Sequence, residues 1–314
     1  MVAMREAFGK SLVELGKRNK DVVVLDADLA SSTKTSYFAQ EFPDRFFQCG
    51  IAEQNMMGVA AGLASCGKIP FVTSFAVFVT KRTADQVAIS VAYPGLNVKI
   101  VGAYTGILNG RTGATHMAGE DIALMRSIPG IVVIDPADAN ELSQVVEAVA
   151  RYCGPVYIRE TRDEWPDLFD KDYNFKIGKA ATIKDGKDAA IISCGVMTSQ
   201  ALAAANDLEK DGISARVVNM STIKPVDREA IIKSAIDTGA IVTCENHNIY
   251  GGLGSAVAEV LVEEAPVPML RIGIKDVFNE CGTNSELLEK FEMDPASIVK
   301  TVKRVLGKKK EKKF

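Results

Sequence analysis

Short runs of β-branched and apolar residues alternate with helical patterns along nearly the whole chain, and the alternation breaks off once and then restarts. VVVLDAD (22–28), IPFVTSF (69–75), NVKIVGA (97–103), GIVVIDP (130–136) and GPVYIRE (154–160) read as strands. Between them lie helical stretches, among them one around 79–92 and ADANELSQVVEAVARY (137–152). Near-continuous apolar strands separated by helices specify a parallel sheet covered on both faces. Residues 161–187 interrupt the pattern with a polar, mixed stretch holding one Pro and two Gly. DAAIISCG (188–195), SARVVNM (214–220), AIVTCEN (240–246) and VPMLRIG (267–273) then resume it, and TSQALAAANDLEKDG has the Ser/Thr start and Gly stop of a helix. The expected fold is therefore α/β, with two parallel or mixed-sheet domains. Residues 1–165 form the first, 166–187 a linker, 188–306 the second, and GKKKEKKF (307–314) a solvated, frayed basic tail.

Several function classes drop out at this level. A chain of 314 residues can bury two sizeable cores. Its formal net charge of −3 leaves no electrostatic footprint for nucleic acid. No apolar run reaches the roughly 18 residues of a membrane span. The N-terminal MVAMREAFGKSLVEL carries charges throughout, as an amphipathic helix does and a signal peptide does not. The six cysteines form no C-x-x-C pair and read as small buried hydrophobes in a reducing compartment, so a cytoplasmic location is expected. Two histidines, His116 and His247, leave no His-rich metal site, and no metal ligand is expected in this chain.

Within FFQCGIAEQNMMGVAAGLASCG (46–67), Glu53 precedes a helix that is apolar nearly all round and should lie inside the protein. Gly58 and Gly62 would let another backbone come close. The carboxylate is either a solvated helix-dipole partner, contributing about 0.3–1 kcal/mol, or a working group whose burial is costly unless it is paired. Open α/β sheets bind ligands beyond the carboxyl ends of their strands. DADLASSTKT (26–35), the start of the Glu53 helix and YTGILNGRTGATH (104–116) all belong there, which moves Glu53 toward function. His116 sits in a Gly-rich loop of the kind that lets backbone approach a ligand. Arg159 and Arg162 follow a strand, where charged residues are usually solvated, though Arg suits phosphate. IYGGLGSAVAEV (249–260) lacks the G-x-G-x-x-G spacing and reads as a tight, closely packed turn.

The stretch GIAEQNMMGVAAGLA resembles the glutamate helix of transketolases and their thiamine diphosphate-dependent relatives. KIPFVTSFAVFVTKRTADQV, NGRTGATHMAGEDIALMRSIPGIVVIDPAD and GPVYIRETR are similar to the pyrimidine-binding domain, and the second half resembles the transketolase C-terminal domain. The resemblance implies thiamine diphosphate as cofactor. Full-length transketolases place the metal- and diphosphate-binding Gly-Asp-Gly…Asn stretch in a preceding domain, which this sequence does not contain. The chain thus resembles the C-terminal subunit of a split transketolase. The implied partner is an N-terminal subunit holding Mg²⁺ or Ca²⁺ and the diphosphate, around a homodimer core in a heterotetramer. Glu53 matches the family glutamate that hydrogen-bonds the pyrimidine ring and exchanges a proton with it. Phe75 and Phe78 match the aromatic residues packed around that ring, and Lys81 stands where another aromatic is usual. His116 matches a histidine near the reacting carbon. Arg5, Ser32 and Arg162 match groups that hold the phosphate of a sugar-phosphate acceptor, chemistry suited to cationic forks and a hydroxyl. Thr112 replaces an aspartate that reads an acceptor hydroxyl, and Tyr104 replaces a histidine.

The implied activity is transfer of a two-carbon ketol unit from a ketose phosphate to an aldose phosphate. The beta subunit of a 2-oxo acid dehydrogenase and half of a 1-deoxyxylulose-phosphate synthase are the neighbouring alternatives. GATHMAGEDIALMRSIPG speaks for transketolase over the former, which usually shows His-Ser-Gln there. A cofactor-free binding module is the non-enzymatic alternative, opposed by the retained Glu53, Phe75, Phe78 and His116.

Overall fold

Among residues 2–110, 112–170 and 172–311, which the computed structural model describes, the chain forms two sheets. β1 (Val22–Asp26), β2 (Phe46–Gln48), β3 (Ile69–Phe75), β4 (Lys99–Ala103), β5 (Val132–Ile134) and β6 (Val156–Glu160) run parallel in the first. β7 (Ala181–Lys184), β8 (Ala189–Ser193), β9 (Ala215–Asn219), β11 (Ile241–Asn248) and β12 (Met269–Ile274) make the second, in which β7 alone is antiparallel. β10 (Thr222–Lys224) leaves the second domain and adds an antiparallel edge to β5. The first sheet therefore runs β10-β5-β6-β4-β3-β1-β2.

The apolar strands are buried on both faces, as their sequences demand. Val22 and Val24 pack into the layer containing Phe8 and Leu12, whereas Val23 and Leu25 pack into the layer containing Met56 and Met57. This is the two-residue alternation of a pleated strand with helices above and below.

Several expectations need correction. The Glu53–Ser65 helix buries Glu53, Met56, Met57, Ala60 and Ala61 but leaves Gln54, Asn55, Gly58 and Val59 exposed. A Cβ on Gly58 or Gly62 would meet nothing, so within this chain no backbone approaches them. The helix expected around 79–92 divides into Ala76–Lys81 and a π-helical turn, Gln86–Ala92. The supposed linker is packed: Phe169 and Phe175 are buried, Asp138 accepts hydrogen bonds from the Leu168 and Phe169 N–H groups, and β7 joins the second sheet. The basic tail continues the helix Pro295–Glu311, and Lys309 donates to the carbonyls of Asp188 and Thr238; residues 312–314 lie outside the described residues. Cys194 and Cys244 are buried, but Cys66, Cys153 and Cys281 are exposed. Periodicity could not anticipate these outcomes, because each depends on which element lies alongside.

Candidate active site

The strand order places β6, β4, β3 and β1 side by side, so their carboxyl ends deliver Arg162, Tyr104, Phe75 and the Ser32 loop to one rim. Asp26 closes β1 and anchors that loop. It accepts from the Leu29 N–H at 2.6 Å and from the hydroxyls of Thr33 and Thr35, both at 2.9 Å. Burial pushes its carboxyl above the ordinary value despite these bonds. The loop then presents the Ser32 carbonyl to Arg5, whose Nη1 lies 3.5 Å from it and donates to the Tyr104 hydroxyl at 2.9 Å. The Arg162 guanidinium stacks 5.5 Å from the centre of the Tyr104 ring. Arg5, Ser32, Tyr104 and Arg162, scattered over the sequence, thus form one cationic corner.

Tyr104 itself is strained. Its φ of +62° lies in the left-handed region that non-glycine residues seldom occupy. Asn109 holds the turn by donating to the Tyr104, Thr105 and Gly106 carbonyls. Asn246, from the second domain, accepts from the Ile107 N–H at 2.9 Å and donates to Thr105 O. Gly106 has φ +64°, and any Cβ there would collide with the Asn246 side chain. The loop that carries His116 is consequently set from outside its own domain.

An aromatic group stands next to this corner. The Phe75 ring stacks on Tyr104 at 4.3 Å and on Phe78 at 5.8 Å between centroids. His116 meets both phenylalanines edge-on, at 6.0 and 5.5 Å, with its Nδ1 2.8 Å from Thr115 Oγ1. The Glu53 side chain, 4% exposed, opens onto a cleft lined by Ile51, Ala52, Gln54, Asn55 and Arg82. Arg82 ties the carboxylate to the aromatic group: its Nη1 donates to Glu53 Oε1 at 2.7 Å and its guanidinium lies 4.1 Å over the Phe78 ring. Glu53 is therefore neither a solvated dipole partner nor an unpaired buried charge.

Two expected site residues stand differently. Lys81 pairs with Glu120 at a cleft shared with Asn248, Asp276 and Phe278 of the second domain. The Thr112 hydroxyl is buried and has no hydrogen-bond partner among the described residues. Two further groups left no mark in the sequence. Arg82 carried no signal beyond its charge. Glu160, the last residue of β6, is wholly buried with neither carboxyl oxygen hydrogen-bonded among the described residues. Burial holds it far above the ordinary carboxylate range, with Arg5 as the opposing charge.

Arg159, expected to be solvated, is 1% exposed. It donates to both oxygens of Asp121, to Asp135 at 2.6 Å and to the Asn246 carbonyl at 2.9 Å. It is a seam between the domains. The glycines of 251–254 are a turn in the second domain, where the Leu253 and Gly254 N–H groups donate to buried Glu245. No cluster of three or more His, Cys, Asp or Glu side chains poised for a metal occurs among the described residues.

With this geometry in place, comparison gives the class. Residues 1–167 match the family "Transketolase, pyrimidine binding domain" and residues 178–298 match "Transketolase, C-terminal domain". This chain belongs to the transketolase family. It is 47% identical to a putative transketolase C-terminal section of Methanocaldococcus jannaschii, over 97% of this chain and 96% of that one. It is 44% identical to the 6-deoxy-6-sulfo-D-fructose transketolase subunit SqwH of a Clostridium species, over 98% of this chain and 95% of the relative. A solved split-gene transketolase, described as an inactive beta4 tetramer, superposes with a TM-score of 0.90 at 51% identity, covering 98% of both chains. Membership in this family implies thiamine diphosphate dependence. The residues present suit the pyrimidine half of that cofactor: a buried carboxylate facing a cleft, an aromatic wall, and a half-exposed cation between them.

No helix among the described residues is long and apolar enough to cross a membrane.

Proposed function

We propose that this chain is the C-terminal subunit of a thiamine diphosphate-dependent transketolase that moves a two-carbon ketol unit from a ketose phosphate to an aldose phosphate. The observation that carries the reading is the buried Glu53 carboxylate beside the Phe75–Phe78 wall, in a chain that matches transketolase subunits along their whole length. That full-length match favours it over a 2-oxo acid dehydrogenase or a 1-deoxyxylulose-phosphate synthase half.

When bound, the cofactor supplies the nucleophilic carbon that carries the ketol unit. Glu53 holds a proton position at the pyrimidine ring. Phe75 and Phe78 fix the plane of the ring, and His116, edge-on to both, hydrogen-bonds donor-sugar oxygens. Arg5, Ser32 and Arg162 orient the acceptor by its anionic end, a phosphate or an equally tetrahedral oxyanion. Thr112 offers a neutral hydroxyl where the acceptor configuration is read, and Tyr104 supports the corner. Lys81, paired with Glu120 at a separate cleft, would have to leave that pair to reach the cofactor.

The diphosphate and its Mg²⁺ or Ca²⁺ fall to an N-terminal partner subunit. A second copy of this chain covers the open face of the Glu53–Ser65 helix, where Gly58 and Gly62 admit a neighbouring backbone and Ile51 and Val59 are exposed. The assembly is then two copies of each subunit. All six cysteines are free, in keeping with a cytoplasmic enzyme.

The experiment is reconstitution. The chain with its diphosphate-binding partner, thiamine diphosphate and Mg²⁺ should transfer ketol units, and the chain alone should not. Glu53→Gln in the complex should lower kcat by about 10²–10⁴, the range for a positioned acid–base group, and slow hydrogen exchange at the thiazolium carbon. Transfer by the single chain, or unchanged exchange in the variant, would sink the reading.

A further inference from the structure

Arg82 makes, inside this chain, the two contacts that the proposed function reserves for an aminopyrimidine ring. A planar, donor-bearing guanidinium lies 4.1 Å over Phe78 and donates to Glu53 Oε1 at 2.7 Å. An aminopyrimidine is likewise planar and likewise presents N–H donors to a carboxylate. The two ends of the interaction differ in freedom. Glu53 is 4% exposed and fixed in the first turn of its helix, whereas the Arg82 side chain is 46% exposed and follows the short helix Ala76–Lys81. Arg82 can leave its position by rotating into solvent; Glu53 cannot.

We propose that Arg82 is an internal competitor for the pyrimidine site, occupying Glu53 and Phe78 until the cofactor ring displaces it, and so sets the affinity for thiamine diphosphate. This rests on the pyrimidine-site reading given above. The competitor keeps the buried carboxylate paired, since an unpaired one is costly. It also stays weak enough to yield, because a half-exposed ion pair and a cation–π contact each contribute only modestly. Ligand affinity is scaled down to the fraction of molecules whose site is open.

The test is calorimetric titration of thiamine diphosphate with Mg²⁺ into the full chain reconstituted with its diphosphate-binding partner. Arg82→Ala is expected to bind about three- to tenfold more tightly than wild type, the gain from opening a site that is mostly closed. Simple electrostatics predicts the reverse, since removing a cation weakens binding of an anion. In a Glu53→Gln background the same substitution should change affinity by less than about twofold, because the partner that holds Arg82 is gone. Arg82→Lys, which can pair but not stack as a plane, should fall between. Unchanged or weaker binding by Arg82→Ala, with Glu53→Gln still impaired, overturns the competitor alone. Binding that is equally strong with Glu53→Gln, or absent in every variant, overturns the pyrimidine-site reading and the competitor with it.

Discussion

Arg159 and Arg162 stand three residues apart at the end of β6, and their surroundings separate a group whose donors the fold uses up from one whose donors have no partner among the described residues. Arg159 is enclosed and saturated, with Asp121, Asp135 and the Asn246 carbonyl taking its donors. Burial works against its charge, and the two aspartates outweigh burial, so the guanidinium stays firmly charged. Burial likewise opposes the charge of Asp121, but Arg159 and His247 outweigh it and hold that carboxyl below its usual value; at Asp135 burial prevails and the carboxyl moves up. Arg162 is half-buried, stacks on Tyr104, and makes no hydrogen bond or ion pair among the described residues. Glu160 lies between them in sequence with neither carboxyl oxygen hydrogen-bonded among the described residues. The lesson is that a charge alone says little. What distinguishes the two arginines is whether the fold already uses up their donors.

The largest effect should come from breaking the saturated arginine. Arg159→Met leaves Asp121 and Asp135 buried without their counter-ion, which costs about 3–5 kcal/mol. Urea unfolding measures it, and a loss under about 1 kcal/mol would mean that the network is not what joins the domains.

Glu141 tests the same idea with a neutral partner. Its carboxyl accepts from the Ala137 N–H and, across the domain seam, from Asn219 Nδ2. Burial raises it from 4.5 to about 7, with the Ala137 and Asn219 hydrogen bonds working against that rise. The unfolded chain releases this proton near the lower value, so between the two the folded state holds one proton more. Wild-type stability relative to Glu141→Gln should then fall as pH rises through that window and level off above it, by at most about 3 kcal/mol. Unfolding midpoints for both proteins at several pH values read this directly. A flat difference would show Glu141 already ionised in the fold.

The available arginine should behave otherwise. Arg162→Ala should leave stability nearly unchanged but reduce kcat/KM for a phosphorylated acceptor by about one to two decades, as expected for a charged hydrogen bond of about 1.5–3 kcal/mol. A non-phosphorylated acceptor should be barely affected. Equal losses for both acceptors would make Arg162 a second structural arginine and erase the contrast.

The smallest effect belongs to Thr112. Its neutral hydroxyl, without a partner among the described residues, should discriminate weakly between acceptors epimeric at the carbon next to the aldehyde. Thr112→Asp should sharpen selectivity by about 1–3 kcal/mol, read as the ratio of kcat/KM for two epimeric aldose phosphates in the reconstituted complex. Strong discrimination by the wild type with no change in the variant would shift the role to Tyr104.

The sequence by itself determined the alternation of apolar strands and helices. It thereby fixed two α/β sheets and the side on which a ligand site must lie, because burial on both faces leaves a periodic trace in one dimension. It also carried the cue to Glu53, a lone acid opening an apolar helix. Three-residue strands such as β2 and β10 left no such trace, and β10 crosses to the other domain's sheet, a choice made by pairing rather than propensity. Only the tertiary structure decided that Asn246 would shape the loop bearing His116, that Arg82 would close on Glu53, and that Arg159 would be saturated while the Arg162 guanidinium only stacks on Tyr104 among the described residues. Those outcomes depend on distances between residues far apart in the chain, and a polar side chain has no periodicity to announce its partner in advance.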